Sequence, residues 1–222
     1  MWDHRPVGLV WPHVLWFVAL VAAAILARWT FIIHLDRAVS HALRGLGDSW
    51  PPANLIWVLG GLPLTSVGVL AWLIRRRPYG WRGLWAFAMG LVCEVALKIA
   101  VHTPFPKPTP EPSFYAHLEM ATNVTPQLAF RWLSRLGGHA GRVGTGRAIF
   151  HGSFPSGHVY RLTYALGLWF QRWPVATWVV AALAGLLVVA TGGHWAIDVI
   201  GGFALARLML WLAMSPTADL PQ

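Results

Sequence analysis

The sequence predicts an all-α fold, a polytopic membrane protein with six transmembrane helices and short interfacial helices. Of its 222 residues, 56% are hydrophobic and only 11% are charged, whereas soluble domains carry about 25% charged residues. The apolar residues form runs long enough to cross the ~30 Å hydrocarbon core of a bilayer. Arginine and lysine lie mainly at the ends of these runs, as membrane flanks do, so the net charge of +9 does not indicate nucleic-acid binding. Because no internal repeat divides the chain, we expect one domain, residues 1–222.

The first half of the chain contains three of the predicted spans. Residues 7–27 form an apolar run that is long for a signal peptide, and further spans follow it, so we expect a retained helix. Residues 35–46 place polar side chains between apolar ones, which is typical of a short helix in the membrane interface. Residues 54–74 form the second span, with a bend expected at Pro63, and residues 83–101 form the third.

The second half begins with the longest polar segment, residues 102–152. Its alternating prolines, from Pro104 to Pro112, exclude a helix there and predict extended chain. The remaining predicted spans are residues 155–169, 175–191 and 194–214.

The distribution of arginines predicts the orientation in the membrane. The short loop around residues 75–82 contains four arginines and should be cytoplasmic. With six spans, both termini then lie in the cytoplasm. Lys98, His158 and His194 fall at the outer ends of their helices, which face the periplasm or exterior of an inner or plasma membrane.

One polar stretch, Ser-Phe-Pro-Ser-Gly-His at residues 153–158, precedes an apolar run. Its serine, proline and glycine are start signals for a helix. The free N–H groups and partial positive charge of a helix N-terminus favour an anion such as phosphate. Gly157 permits a close approach, and His158 can exchange a proton near neutral pH.

A second polar stretch, residues 192–198, contains His194 and Asp198. If it is helical, these two residues are four apart and share a face. A carboxylate in that position can hold one imidazole nitrogen and direct the other at a substrate, as in hydrolytic triads.

Three charged residues, Lys98, Arg161 and Asp198, lie within or at the edge of apolar spans. Each would cost on the order of 3 kcal/mol at the centre of an isolated helix. A site for a charged lipid headgroup at the outer membrane face gives all three a shared purpose. Glu94 lies four residues before Lys98, and we expect these two to pair inside the bundle.

The sequence Pro-Ser-Gly-His at residues 155–158, followed by His194-x-x-x-Asp198, resembles the second and third motifs of the type 2 phosphatidic acid phosphatases. These integral-membrane lipid phosphate phosphatases are related to the vanadium haloperoxidases. The resemblance covers a motif-bearing core of about residues 98–202. It implies hydrolysis of a lipid phosphate or lipid pyrophosphate, through a phosphohistidine and without metal or cofactor.

The resemblance also implies roles for single residues. His194 would attack phosphorus, Asp198 would orient it, and His158 would protonate the leaving oxygen. The residues that would hold the phosphate oxygens are Lys98, Ser156 and the Gly157 backbone.

Two arginines of the family pattern are missing, because Phe105 and Val188 occupy their positions. Their loss should weaken the binding of a doubly charged phosphomonoester. Arg161 follows His158 by three residues and shares its face, so it is the candidate replacement for one of them.

The missing arginines leave two alternatives open. A lipid phosphotransferase of the sphingomyelin-synthase type uses a similar histidine pair on a phosphodiester, which carries a single negative charge. A non-enzymatic relative would only bind lipid phosphates. A transition-metal site at His158, His194 and Asp198 is disfavoured, because the adjacent Ser156-Gly157 and Lys98 suit an anion.

Overall fold

The computed structural model describes residues 11–49, 56, 59–75, 80–101, 103 and 152–214. Within these ranges all regular secondary structure is α-helical, which confirms the predicted fold class. The segment 104–151 and both termini lie outside the described residues, and with them the expected proline-rich extended chain. The seven helices are α1 (Trp11–Leu26), α2 (Thr30–Ser49), α3 (Leu62–Arg75), α4 (Gly80–Val101), α5 (Gly157–Trp169), α6 (Pro174–Ala190) and α7 (Ala196–Met214).

Two of the described helices, α4 and α7, are long and apolar enough to cross a membrane by length and composition. The bent pair α1 and α2 gives a third candidate if it is counted as one span. Helices α3 and α6 are apolar but have 14 and 17 residues. The count of six spans therefore stays a prediction.

The surface of the bundle is apolar and its interior contains polar groups. Leu15, Val67 and Val92 are each more than 60% exposed, whereas Glu94 and Asp198 are buried. This distribution is the reverse of that in a soluble protein, where charged residues are almost never fully buried. It is expected where lipid is the solvent, and it gives the molecule the character of a membrane protein.

Helix α7 lies at the centre of the bundle and packs against α1, α4 and α5. Two buried tyrosines of α5 join that helix to α4: the Tyr160 hydroxyl donates to the Phe87 carbonyl at 2.8 Å, and the Tyr164 hydroxyl donates to the Gly83 carbonyl at 2.6 Å. These bonds fix the first two turns of α5 beside the N-terminal half of α4.

The bundle has two distinguishable ends. His158 and His194 lie at one of them, which we call the histidine end. The α1–α2 turn is also there, because the start of α1 lies at the far end of α7, where His13 stacks on Trp211 with ring centroids 4.8 Å apart. The α5–α6 turn, which follows Trp169, lies at the opposite end.

Helix α2 includes the interfacial helix expected at residues 35–46 and extends beyond it at both ends. Leu35 is 53% exposed, and Arg37 is also exposed. Between these two faces a third face packs on the protein, and it contains Asp36, 6% exposed, and Ser40. The sequence pattern did not predict this buried polar face.

The bend expected at Pro63 is wrong in its position. The chain breaks at Gly60 and Gly61, and Pro63 falls in the first turn of α3. Proline is tolerated there, because the N–H groups of the first turn have no hydrogen-bond partner within the helix. A Cβ on Gly60 would lie 2.9 Å from the Cβ of His158. The break therefore brings the backbone close to the first turn of α5.

Candidate active site

The stretch 153–158 delivers the chain into the N-terminus of α5, as the sequence predicts. Ser156 is the N-cap residue, and its hydroxyl accepts a hydrogen bond from the Val159 N–H at 3.5 Å. Its own N–H donates to the Asp198 carbonyl at 2.9 Å. A Cβ on Gly202 would lie 2.6 Å from the Ser156 carbonyl, so α7 passes directly under this turn. The two polar stretches of the sequence are thus joined through the backbone.

The same turn is attached to the end of α4. The Ser153 N–H donates to the Thr103 carbonyl at 2.8 Å, and the two hydroxyls lie 3.0 Å apart. Gly152 packs closely on the backbone carbonyl of Lys98. Helix α4 thereby places Lys98 next to the segment that leads to His158.

Asp198 connects His194 to the start of α7. One carboxylate oxygen, Oδ2, lies 3.3 Å from His194 Nδ1 and accepts the Trp195 N–H at 3.0 Å. The expectation that both residues belong to one helix is wrong, since α7 begins at Ala196, two residues after His194. The contact forms because Asp198, in the first turn, reaches back over the helix start as the acidic member of a capping box does.

The two imidazole rings converge at the histidine end. Their centroids are 6.0 Å apart with an angle of 57° between the ring planes, and both residues are buried. This separation is about twice the 3–3.5 Å between reacting atoms in a productive complex. One phosphoryl group can therefore contact both rings, each through a different oxygen or phosphorus atom.

A carboxylate holds both cations that the sequence assigns to phosphate binding. Lys98 Nζ lies 2.8 Å from Glu94 Oε1, which confirms the expected pair. A guanidinium nitrogen of Arg161, Nη1, lies 3.6 Å from Glu94 Oε2, and Arg161 Nε donates to the Gly60 carbonyl at 3.0 Å. Because a Cβ on Gly157 would overlap the Glu94 carboxylate, this cluster sits against the N-terminus of α5.

The charges of this cluster leave a single net positive charge, since two cations share one carboxylate. Arg161 is thus beside the first turn of α5 but is held by Glu94 and Gly60. Sequence reasoning placed Arg161 on the correct face of α5, and it missed that Glu94 contacts both cations.

Asp36 is a residue of this site that sequence reasoning missed. Its carboxylate accepts the N–H of Ala196 at 2.8 Å and the N–H of Ile197 at 3.3 Å. These are the first two residues of α7, whose N-cap, Trp195, has no side chain that can accept them. No local signal marks Asp36, because its partners lie 160 positions further along the chain.

Across the described ranges, no three or more His, Cys, Asp or Glu side chains are grouped so that they could hold a metal ion.

The fold and the site define a helical membrane protein with a buried pair of histidines at one end of its bundle. The family model of the PAP2 superfamily matches residues 79–219. The chain belongs to the PAP2 superfamily, which confirms the resemblance of its motifs. Helices α1, α2 and α3 precede the matched region.

A solved structure has a similar fold. The chain is similar to the crystal structure of a transmembrane PAP2-type phosphatidylglycerolphosphate phosphatase from Bacillus subtilis. The two chains are 20% identical, the TM-score is 0.59, and the similarity covers 90% of this chain and 93% of the other. No curated protein matches the sequence.

Proposed function

We propose that the protein hydrolyses a lipid phosphate or lipid pyrophosphate without metal, through a phosphohistidine at His194. The observation that carries the proposal is the convergence of two imidazoles, 6.0 Å apart, one of which is held by Asp198. Membership of the PAP2 superfamily and the phosphatase named in the similar crystal structure support the hydrolysis of a lipid phosphate.

In the first step, Asp198 accepts the hydrogen bond from His194 Nδ1–H and fixes the tautomer that leaves Nε2 unprotonated. Nε2 attacks phosphorus, and a P–N bond forms as the bond to the lipid oxygen breaks. His158 gives its proton to that oxygen, and the leaving group is the lipid alcohol from a lipid phosphate or the lipid monophosphate from a lipid pyrophosphate.

In the second step, water attacks the phosphohistidine. His158, now neutral, takes a proton from the water, the P–N bond breaks, and phosphate leaves. The developing charge on the phosphoryl oxygens is stabilised by Ser156, by the Gly157 N–H at the start of α5, and by Lys98 and Arg161.

The arginine-rich turn between α3 and α4 supports an orientation with cytoplasmic termini. In that orientation, the histidine end faces the periplasm or exterior, where it meets headgroups of the outer leaflet of an inner or plasma membrane.

The test is phosphate release by purified protein, in the presence of chelator, from phosphatidate, phosphatidylglycerophosphate and a polyprenyl pyrophosphate. His194→Ala should abolish release from whichever substrate is hydrolysed. His13→Ala is the matched control, because His13 lies at the opposite end of the bundle and should be dispensable. Release that survives His194→Ala would overturn the mechanism.

One observation favours a second candidate, a phosphotransferase that acts on a phosphodiester lipid. Glu94 leaves a single net positive charge beside the histidines, which suits the single negative charge of a diester. The test is transfer of a labelled headgroup from a phosphodiester lipid to an alcohol acceptor.

If label moves while no phosphate is released, the transferase assignment replaces the hydrolase. If neither reaction occurs while lipid phosphates bind, the chain is a non-enzymatic relative.

A further inference from the structure

A cavity of about 140 Å³ lies at the end of the bundle opposite the histidines. It is lined by residues of α5, the α5–α6 turn, α6 and α7, among them Thr163, Gln171, Trp178 and Arg207. A cavity needs a volume of roughly 10–15 Å³ to hold one water molecule, so this cavity has room for a larger polar group. Its lining residues on and after α5 run from Thr163 to Phe170, so they lie about 8–18 Å from His158 along the helix axis.

Arg207 places a positive charge in the wall of this cavity. Its guanidinium carbon lies 5.0 Å from the ring centroid of Trp178 and 6.0 Å from that of Trp16, so aromatic faces flank it. In the described part of the chain no carboxylate forms an ion pair with Arg207, and its buried Nε has no hydrogen-bond partner. A buried guanidinium N–H without a partner is costly and calls for an acceptor.

Thr163 adds a second polar atom to the same wall. Its side chain is buried, with the residue 2% exposed, and its hydroxyl has no partner among the described residues. Threonine within a helix usually bonds the carbonyl four residues earlier, as Thr65 does at 2.8 Å and Thr177 at 3.1 Å. Thr163 does not, so its buried hydroxyl is left without a hydrogen bond beside the cavity.

We propose that this cavity binds the phosphate group of an anionic phospholipid from the leaflet opposite the histidine end. The guanidinium fork of Arg207 fits phosphate oxygens, and the Thr163 hydroxyl can donate to a further one. Two apolar lining residues, Phe170 and Met214, are 50% and 43% exposed and provide a surface for acyl chains. Val175, which is 74% exposed, follows the lining residue Pro174 in the chain and extends this apolar surface. A free phosphate ion would gain none of these apolar contacts. The site is separate from the proposed catalytic centre and does not depend on its activity.

The experiment measures the thermal unfolding of detergent-purified full-length protein with added phosphatidylglycerol, phosphatidylcholine or inorganic phosphate. Phosphatidylglycerol at roughly 100 times its Kd should raise Tm by about 5 °C, and the other two should not. Arg207→Gln and the isosteric Thr163→Val should each reduce this shift. Arg172→Gln is the matched control, since Arg172 is an exposed arginine of the adjacent turn.

Native mass spectrometry gives a readout that does not depend on stability. Wild-type protein and Arg172→Gln should retain one more phosphatidylglycerol than Arg207→Gln. If Arg207→Gln does not fold, the same comparison is made with Thr163→Val. Equal shifts with phosphatidylcholine, an equal shift with inorganic phosphate, or full lipid retention by the folded Arg207→Gln or Thr163→Val protein would each overturn the proposal.

Discussion

Asp198 combines two tasks that are usually given to different residues. Its Oδ2 atom holds the imidazole of His194 and also accepts the Trp195 N–H at the start of α7. The residue is fully buried, and its other oxygen has no partner within the described ranges. A change at Asp198 should therefore affect the orientation of the histidine more than the integrity of the fold.

We expect Asp198→Asn to lower kcat for phosphate release by about 10²–10⁴-fold with little change in KM, because the amide can impose the wrong histidine tautomer. The Trp195 N–H can still bond the amide oxygen, so Tm should fall by only a few degrees. Steady-state kinetics and thermal unfolding of the same preparation measure both quantities. A variant that retains wild-type kcat would show that Asp198 has only a structural role.

The sequence predicted the members of this site better than their contacts. His194 and Asp198 could be paired because they are four residues apart, and Glu94 with Lys98 for the same reason. The contact of Arg161 with the Gly60 carbonyl joins residues 101 positions apart, and no local pattern predicts it. Interactions of that range depend on how helices pack, which a single sequence does not specify.

At the scale of elements, Gly157 at the start of α5 packs against the Glu94 side chain of α4. A Cβ at residue 157 would overlap the Glu94 carboxylate, so any larger residue there has to displace that carboxylate. This contact keeps the carboxylate between Lys98 and Arg161.

We expect Gly157→Ala to lower the free energy of unfolding by about 1–3 kcal/mol, because the added methyl group displaces Glu94 from its two cations. Gly68→Ala is the matched control, since its Cβ would meet only Trp169 Nε1 at 4.0 Å. That change should be neutral or stabilising by up to about 1 kcal/mol, because alanine is the better helix former. Denaturant unfolding measures the free energy of unfolding of both variants, and equal values for Gly157→Ala and Gly68→Ala would contradict the expectation.

The start of α7 depends on a carboxylate from another helix. We expect Asp36→Ala to cost about 1–2 kcal/mol, the usual effect of losing an N-cap acceptor, and to lower kcat because His194 directly precedes this helix start. The control is Arg37→Ala, an exposed neighbour on α2. Wild-type Tm and kcat in Asp36→Ala would exclude this role for the carboxylate.

The helices themselves were largely predictable, because apolar runs and start signals identify them. Their buried faces were not. In α2, the apolar Leu35 is exposed and the charged Asp36 is buried, since a helix in contact with lipid gains nothing by turning its apolar side inward. The bend before α3 lies earlier than predicted, because the helix is broken at Gly60 and Gly61 and not at Pro63.

At the scale of the whole molecule, the two ends of the bundle should lie on opposite sides of the membrane. We expect a cysteine at Arg28, in the exposed α1–α2 turn, to react with an impermeant maleimide from outside intact cells or spheroplasts. A cysteine at Arg172, in the exposed α5–α6 turn, should react only after the membrane is opened. Both variants are made with Cys93→Ser, and modification is read by mass shift.

The opposite labelling pattern would reverse the orientation, and labelling of both sites from one side would contradict the six-span layout. The prediction of orientation rests on the arginines of a short loop, since apolar runs predict a number of spans but not the direction of the first one.

The carboxylate of Asp36 has one more consequence. It lies outside residues 79–219, the part of the chain that the family model matches, yet it bonds the helix that follows His194. A chimera that grafts this matched segment onto the N-terminal helices of another superfamily member would inherit both histidines and still lack an anchor for them. Exchanges between relatives should therefore keep the first two helices together with the remainder, as one inherited unit.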